Sequence, residues 1–98
     1  MLVAVAQICS TPSIARNLGI CRQVIKRAAH QGAKLVYLPE ASDFIAPPTD
    51  VPSLSFPLHS NVFVDGIREE AKNSDVWVGV GVHERKVGGL LMSGIVSN

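Results

Sequence analysis

No acidic residue precedes Glu40. The first 39 positions carry five basic residues (Arg16, Arg22, Lys26, Arg27 and Lys34), whereas the rest carries four basic and eight acidic ones. Charge of either sign is sparse, at 17% of 98 residues, against the roughly 25% usual in soluble domains. With 47% hydrophobic residues, that excludes intrinsic disorder. Long apolar runs are also missing. The longest, Val76 to Val82, holds two glycines and falls far short of the roughly 18 residues that span a bilayer. The net charge of +1 gives no reason to invoke nucleic acid. Two cysteines, Cys9 and Cys21, are too few for a disulfide scaffold, so a reducing compartment is expected. The acid-free, arginine-bearing N-terminus has the composition of a mitochondrial transit peptide. It opens, however, with Leu2-Val3-Ala4-Val5-Ala6-Gln7-Ile8-Cys9, which reads as a strand and argues for folded structure. The cytosol is therefore expected, with mitochondria left open.

What is present alternates between strand and helix. After the first strand, Ser10-Thr11-Pro12-Ser13 breaks the run and offers hydroxyl N-caps. From Ile14 the period changes to that of a helix: Ile14, Leu18, Cys21, Ile25, Ala28 and Ala29 form one stripe. Arg16, Arg22, Gln23, Lys26 and Arg27 fall mostly on the other side. His30 in the last turn and Gly32 just beyond are stop signals. A second strand, Lys34 to Leu38, ends at Pro39-Glu40, which implies a right-handed parallel crossover. Pro47, Pro48, Pro52 and Pro57 make the stretch from Ala41 to His59 a loop. Ser60-Asn61 can cap a second helix, Val62 to Lys72, with Phe63, Ile67 and Ala71 on one face and Asn73-Ser74 closing it. A third strand, Val76 to Val82, ends at His83-Glu84. The expected architecture is α/β, in the order βαβαβ.

The three strands barely alternate apolar with polar residues, the pattern of parallel strands buried on both faces. Two helices can cover one face, or part of each, and leave apolar surface over. Either the chain pairs through its sheet, or the domain extends beyond this sequence. Residues 87–98 are apolar and glycine-broken, and read as a fourth strand or as a segment with no stable place.

In open α/β sheets functional groups gather at the carboxyl ends of the strands. Glu40 follows strand two and His83 follows strand three. A carboxylate held by a proline beside an apolar strand is partly desolvated, which favours the proton-accepting behaviour of a general base. From spacing alone, a solvated loop glutamate and a surface or supporting histidine are the commoner outcomes. His30 and His59 have no neighbours at metal-ligand spacing. Gly79-x-Gly81 lacks the third glycine of a dinucleotide fingerprint and lies within the strand. Those glycines are better explained by close approach of another backbone or a ligand to the sheet. There is no P-loop, CxxC or GxSxG. Cys9 ends strand one with no histidine near it in the chain, and Cys21 lies on the apolar helix stripe and reads as core.

The run Val3-Ala4-Val5-Ala6-Gln7-Ile8-Cys9-Ser10-Thr11 resembles the opening strand of the nitrilase, or carbon–nitrogen hydrolase, superfamily. Leu35-Val36-Tyr37-Leu38-Pro39-Glu40-Ala41 does too, with the Asn17 helix and the Gly32-Ala33 turn between them. Asp43-Phe44-Ile45-Ala46 and Val80-Gly81-Val82-His83-Glu84 narrow the likeness. They are similar to the branch that includes the deaminated glutathione amidases, its fungal members close. The likeness covers residues 3–86 and departs from about Val87.

The resemblance implies an α-β-β-α sandwich, of which this chain supplies the N-terminal βαβαβ part. Residues 1–86 would be an incomplete N-terminal part of the domain, and 87–98 a divergent tail. It also implies hydrolysis of a small-molecule amide by a Glu-Lys-Cys triad without a cofactor, with a homo-oligomer left open and neither nucleic acid nor membrane as a partner. Glu40 matches the family's general base. Lys86, Cys9 and Cys21 match neither the lysine nor the nucleophile, both of which lie farther along the family's chain. The chain is thus expected to be inactive alone. The alternative is a non-catalytic fragment or interaction module that pairs with a full-length homologue.

Overall fold

The computed structural model describes residues 2–8, 10–39, 42–44, 61–86 and 89–97. In chain order the elements are β1 (Leu2–Val5), α1 (Ile14–His30), β2 (Ala33–Tyr37), α2 (Val62–Ser74), β3 (Trp77–Lys86) and β4 (Gly89–Ser97). The first five are the expected βαβαβ. The four strands form one sheet in the order β1-β2-β3-β4. β1, β2 and β3 run parallel, with Val3 opposite Leu35 and Leu35 opposite Trp77. β4 is antiparallel to β3, with Val80 opposite Ile95. The fourth-strand reading of residues 87–98 is therefore the one the backbone adopts over Gly89–Ser97.

Local chemistry sets the boundaries. Ser13 caps α1, its hydroxyl accepting from the Arg16 N–H at 3.2 Å. Asn61 caps α2, its Oδ1 accepting from the Val64 N–H at 3.1 Å. α1 stops where Gly32 takes φ 95°, a conformation open to glycine because it has no Cβ. α2 runs past Lys72 to Ser74, because the residue that breaks it is Asp75, in the left-handed region at φ 54°. Aspartate tolerates that region better than most side chains. β1 is shorter than expected. Regular pairing ends at Val5, although the Ala6 N–H still donates to the Tyr37 carbonyl at 2.9 Å.

With the parallel strands adjacent and in sequence order, two right-handed crossovers place both helices on the same side of the sheet. Burial follows this arrangement. Val36, Leu38, Val76, Val78, Val80 and Val82 are buried in one cluster with Cys21, Ile25 and Ala28 of α1 and Phe63, Val64, Ile67 and Ala71 of α2. α1 approaches α2 closely at Gly66, where a Cβ would stand 2.6 Å from a Leu18 methyl. The opposite side of the sheet is apolar and uncovered among the described residues. Val5 is 79% exposed, Trp77 54% and Tyr37 48%. The glycine of β3 opposite Tyr37 serves that ring: a Cβ on Gly79 would lie 2.8 Å from Tyr37 Cδ1. What approaches Gly79 is thus a neighbouring side chain, where a backbone or a ligand was expected.

One buried charge ties the helices together. Glu70, on the inner face of α2, is 1% exposed. Its Oε1 accepts from Arg22 Nε at 3.1 Å and lies 3.6 Å from Lys26 Nζ, while Ser74 Oγ donates to Oε2 at 2.8 Å. Arg22 also reaches Glu69 at 3.3 Å. These bonds, to Glu70 first, hold the guanidinium proton above its already high ordinary value. Arg22, expected on the solvent side, is therefore half-buried over the helix contact.

Ile67 sits in the centre of this layer at 1% exposure. Ile67→Ala is expected to remove about 2–5 kcal/mol of unfolding free energy, read as a lower urea midpoint at unchanged slope.

Candidate functional site

The carboxyl edge of the parallel strands carries a polar network drawn from four segments. Thr11 follows β1, Asn17 lies in the first turn of α1, Ser42, Asp43 and Phe44 follow β2, and His83 belongs to β3. Asn17 is fully buried and uses both ends of its amide. Its Nδ2 donates to the Thr11 carbonyl at 2.7 Å and to the Asp43 carbonyl at 2.8 Å. Its Oδ1 accepts from the Thr11 N–H and hydroxyl, both at 2.9 Å. The loop after β1 is thus stitched to the loop after β2 through one side chain.

Asp43 is the second centre, 3% exposed. Its Oδ2 accepts from the His83 backbone N–H at 2.9 Å, and its Oδ1 from the Phe44 N–H at 2.9 Å. The His83 ring adds Nδ1 at 3.0 Å from Oδ1. A carboxylate only accepts, so the imidazole donates from Nδ1. Phe44 stacks on that ring with centroids 4.2 Å apart and planes 20° from parallel. Ser42 completes the set: its N–H donates to the Gly81 carbonyl at 3.2 Å and its hydroxyl to the Pro39 carbonyl. Among the described residues, no buried side-chain polar atom lacks a partner.

The residues singled out from the sequence fall as follows. Glu40 lies outside the described residues, as do Cys9 and His59. Pro39 and Ser42, on either side of Glu40-Ala41, belong to the network above. His83 is the partner of Asp43, which fits the supporting rather than the surface alternative. Cys21 is fully buried, as a core thiol should be. Burial first, and then the charge of Asp43, push it up from 9.0 to about 12. A thiol so held is protonated at neutral pH and is no nucleophile. His30 is exposed at the end of α1, and Lys86 is the last residue of β3, opposite Gly89. Among the described residues, no group of three or more His, Cys, Asp or Glu could hold a metal ion.

Sequence reasoning missed Asn17 and Asp43 as structural centres. Asn17 did leave a signal: it stands four residues before Cys21, on the apolar stripe of α1. A polar side chain on a buried stripe must find partners.

The model of the family described as "Carbon-nitrogen hydrolase" matches residues 2–98. The chain belongs to the carbon–nitrogen hydrolase family. It is 42% identical over 85 residues to the "Probable hydrolase nit2" of Schizosaccharomyces pombe, a match covering 85% of this chain and 30% of that protein. It is likewise 42% identical over 86 residues to the "Deaminated glutathione amidase" of Bos taurus, covering 86% of this chain and 26% of the relative. The carbon–nitrogen hydrolase segment seen here thus spans less than a third of the length of either relative. An amidase structure from Nesterenkonia sp. superposes with a TM-score of 0.83 over 98% of this chain and 37% of its own, at 17% identity. That likeness speaks to the fold, including β4.

The raised Cys21 thiol makes a pH prediction. The folded chain keeps the thiol protonated up to about 12, whereas the unfolded chain releases the proton from about 9.0. Its contribution to stability is therefore complete below pH 9.0 and is lost as pH rises toward 12. Comparing denaturation midpoints of the wild type and Cys21→Ala from pH 8 to 11.5 should show the steeper decline in the wild type, on the order of this linkage.

Proposed function

We propose that this chain contributes the general base, Glu40, to a thiol-dependent active site that hydrolyses the amide of a small molecule. In that reaction Glu40 takes the proton of a cysteine thiol. The thiolate attacks the amide carbonyl, and the tetrahedral oxyanion is stabilised by a lysine. Collapse of the intermediate expels the amine, which leaves with a proton, and forms a thioester. Water then releases the acid and regenerates the thiol. The observation that carries this reading is the pairing of the family match with the place of Pro39-Glu40. Pro39 stands two residues past the end of β2 at the carboxyl edge of the parallel strands, where open α/β sheets assemble their sites, and Glu40 is the next residue in sequence. The resemblance of the bovine deaminated glutathione amidase favours an amide of that kind as substrate.

Neither cysteine of these 98 residues suits the nucleophile: Cys21 is a buried, protonated core thiol, and Cys9 does not match the family's cysteine. By itself, then, this polypeptide does not turn over amides. A second reading is favoured by the uncovered apolar face that includes Val5, Tyr37 and Trp77: a non-catalytic module that pairs with a full-length homologue.

Three measurements test these readings. Purified chain mixed with deaminated glutathione should release no amine above background, and turnover abolished by Glu40→Gln would refute that expectation. Grafted in place of the matching segment of the bovine relative, the chain should support hydrolysis. There Glu40→Gln should lower kcat by about 100-fold or more, the scale of a lost general base. An undiminished kcat removes Glu40 from the mechanism. A stable complex with the unaltered full-length relative in sedimentation velocity, lost on Trp77→Asp, favours the second reading.

A further inference from the structure

The side of the sheet turned away from the helices is a surface of one kind. Strand pairing sets Val3, Leu35 and Trp77 in one row across β1, β2 and β3, and Val5, Tyr37 and Gly79 in another. Alternation along each strand puts both rows on the same face, since Val36 and Val78 between them are buried with the helices. None of these residues is charged. Val3 is 43% exposed, Val5 79%, Tyr37 48% and Trp77 54%. The relief is graded across the strands. β1 presents valines, β2 a tyrosine, and β3 a tryptophan followed on that face by a glycine. The Tyr37 ring fills the space that a Cβ on Gly79 would take.

We propose that this face is an interface between two copies of the chain, packed sheet against sheet about a two-fold axis that runs along the strands. Such an axis keeps each row at its own height and reverses the order of the strands. It therefore sets Trp77 of one copy over Val3 of the other, twice, with Leu35 over Leu35 and Tyr37 over Tyr37. The bulk on β3 meets the smaller side chains of β1, so two identical faces fit each other. A second copy suits the surface because it brings no charge onto it. A charged partner would have to leave water without gaining a counter-ion there. The area agrees. At roughly 150–250 Å² for a whole aromatic side chain and less for a valine, the exposed parts of Val3, Val5, Tyr37 and Trp77 come to about 450 Å² per copy. The pair buries about 900 Å² before Leu35 and the rim are added, which is the low end for specific interfaces. The dimer is accordingly weak and exchanges with monomer. It requires neither Glu40 nor the amidase reading.

Sedimentation equilibrium of the full 98-residue chain, from about 1 to 300 µM, tests this. The mass should rise from 10.5 kDa toward twice that value and stop there, with a dissociation constant of about 10–100 µM. Trp77→Asp and Val3→Lys should each raise that constant by about 30-fold or more, since each places an unpaired charge in the interface. Mixed in equal amounts, the two variants should associate within about tenfold of the wild type. The axis sets the new carboxylate of one against the new ammonium of the other. Gln23→Asp, at an exposed position of α1, should leave the mass profile unchanged. Methyl NMR lines of Ile67 and Val78 report whether the core persists in each variant. A wild-type chain that stays monomeric throughout overturns the proposal, as does growth beyond a dimer. Undiminished association of Trp77→Asp, or no recovery on mixing, does the same. Loss of the dimer in Gln23→Asp with the core intact moves the interface to the helix side and also overturns it. If Trp77→Asp loses the core, Val3→Lys decides by whether its dimer persists.

Discussion

A carboxylate removed from water must be given donors, and the placement of Asp43 makes the rest of the carboxyl edge follow. Buried at 3% exposure, it draws the His83 N–H, the His83 imidazole and the Phe44 N–H onto its two oxygens. Its own carbonyl is taken by Asn17, which in turn clasps Thr11 on both sides of a peptide. The loops after β1 and β2 and the middle of β3 are therefore held in one hydrogen-bonded arrangement. Removing any member would leave a buried group unpaired, at about 1–3 kcal/mol each. Networks of this kind are worth their desolvation only when complete. This one is complete among the described residues.

The helix layer obeys the same rule with a different carboxylate. Glu70 stands on the inner face of α2 where an apolar residue would be usual, and it is tolerated because Arg22, Lys26 and Ser74 surround it. The ion pairs cross from one helix to the other, next to the close contact of Gly66 with Leu18, so α1 and α2 pack as a unit. Both lie on one side of the sheet. The strands are apolar on the other side as well, and Val5, Tyr37 and Trp77 stand half or more exposed there. In a family whose resemblance implies a second sheet, such a face is the surface that sheet would cover. The energetic consequence is general: apolar area left in water contributes nothing until something is laid over it, at about 25 cal/mol per Å².

Much of this was legible in residue order. The helical stripe through Cys21, Ile25 and Ala28 and the Phe63-Ile67-Ala71 face are buried as their spacing predicts, because a period near 3.6 places them on one side. Ser13 and Asn61 cap their helices because a short polar side chain there can reach the free N–H groups of the first turn. The end of α2 was less legible, since Lys72, Asn73 and Ser74 are all compatible with a helix terminus. The stop is set by the left-handed backbone at Asp75. Arg22 was assigned to the solvent side by periodicity. Its carboxylate partner is 48 residues away in the chain, a distance over which spacing carries no information.

The sequence by itself determined the order of the elements, the faces they bury, the family and Glu40 as the candidate base. All of these are encoded locally: in period, in turn chemistry and in short motifs such as Leu38-Pro39-Glu40. Only the tertiary structure decided that Asp43 and His83 are partners across 40 residues, that Asn17 joins two loops, and that both helices share one side of the sheet. These facts depend on which strands become neighbours. Burial then forces each enclosed polar group to bond whichever donor or acceptor the fold has brought beside it.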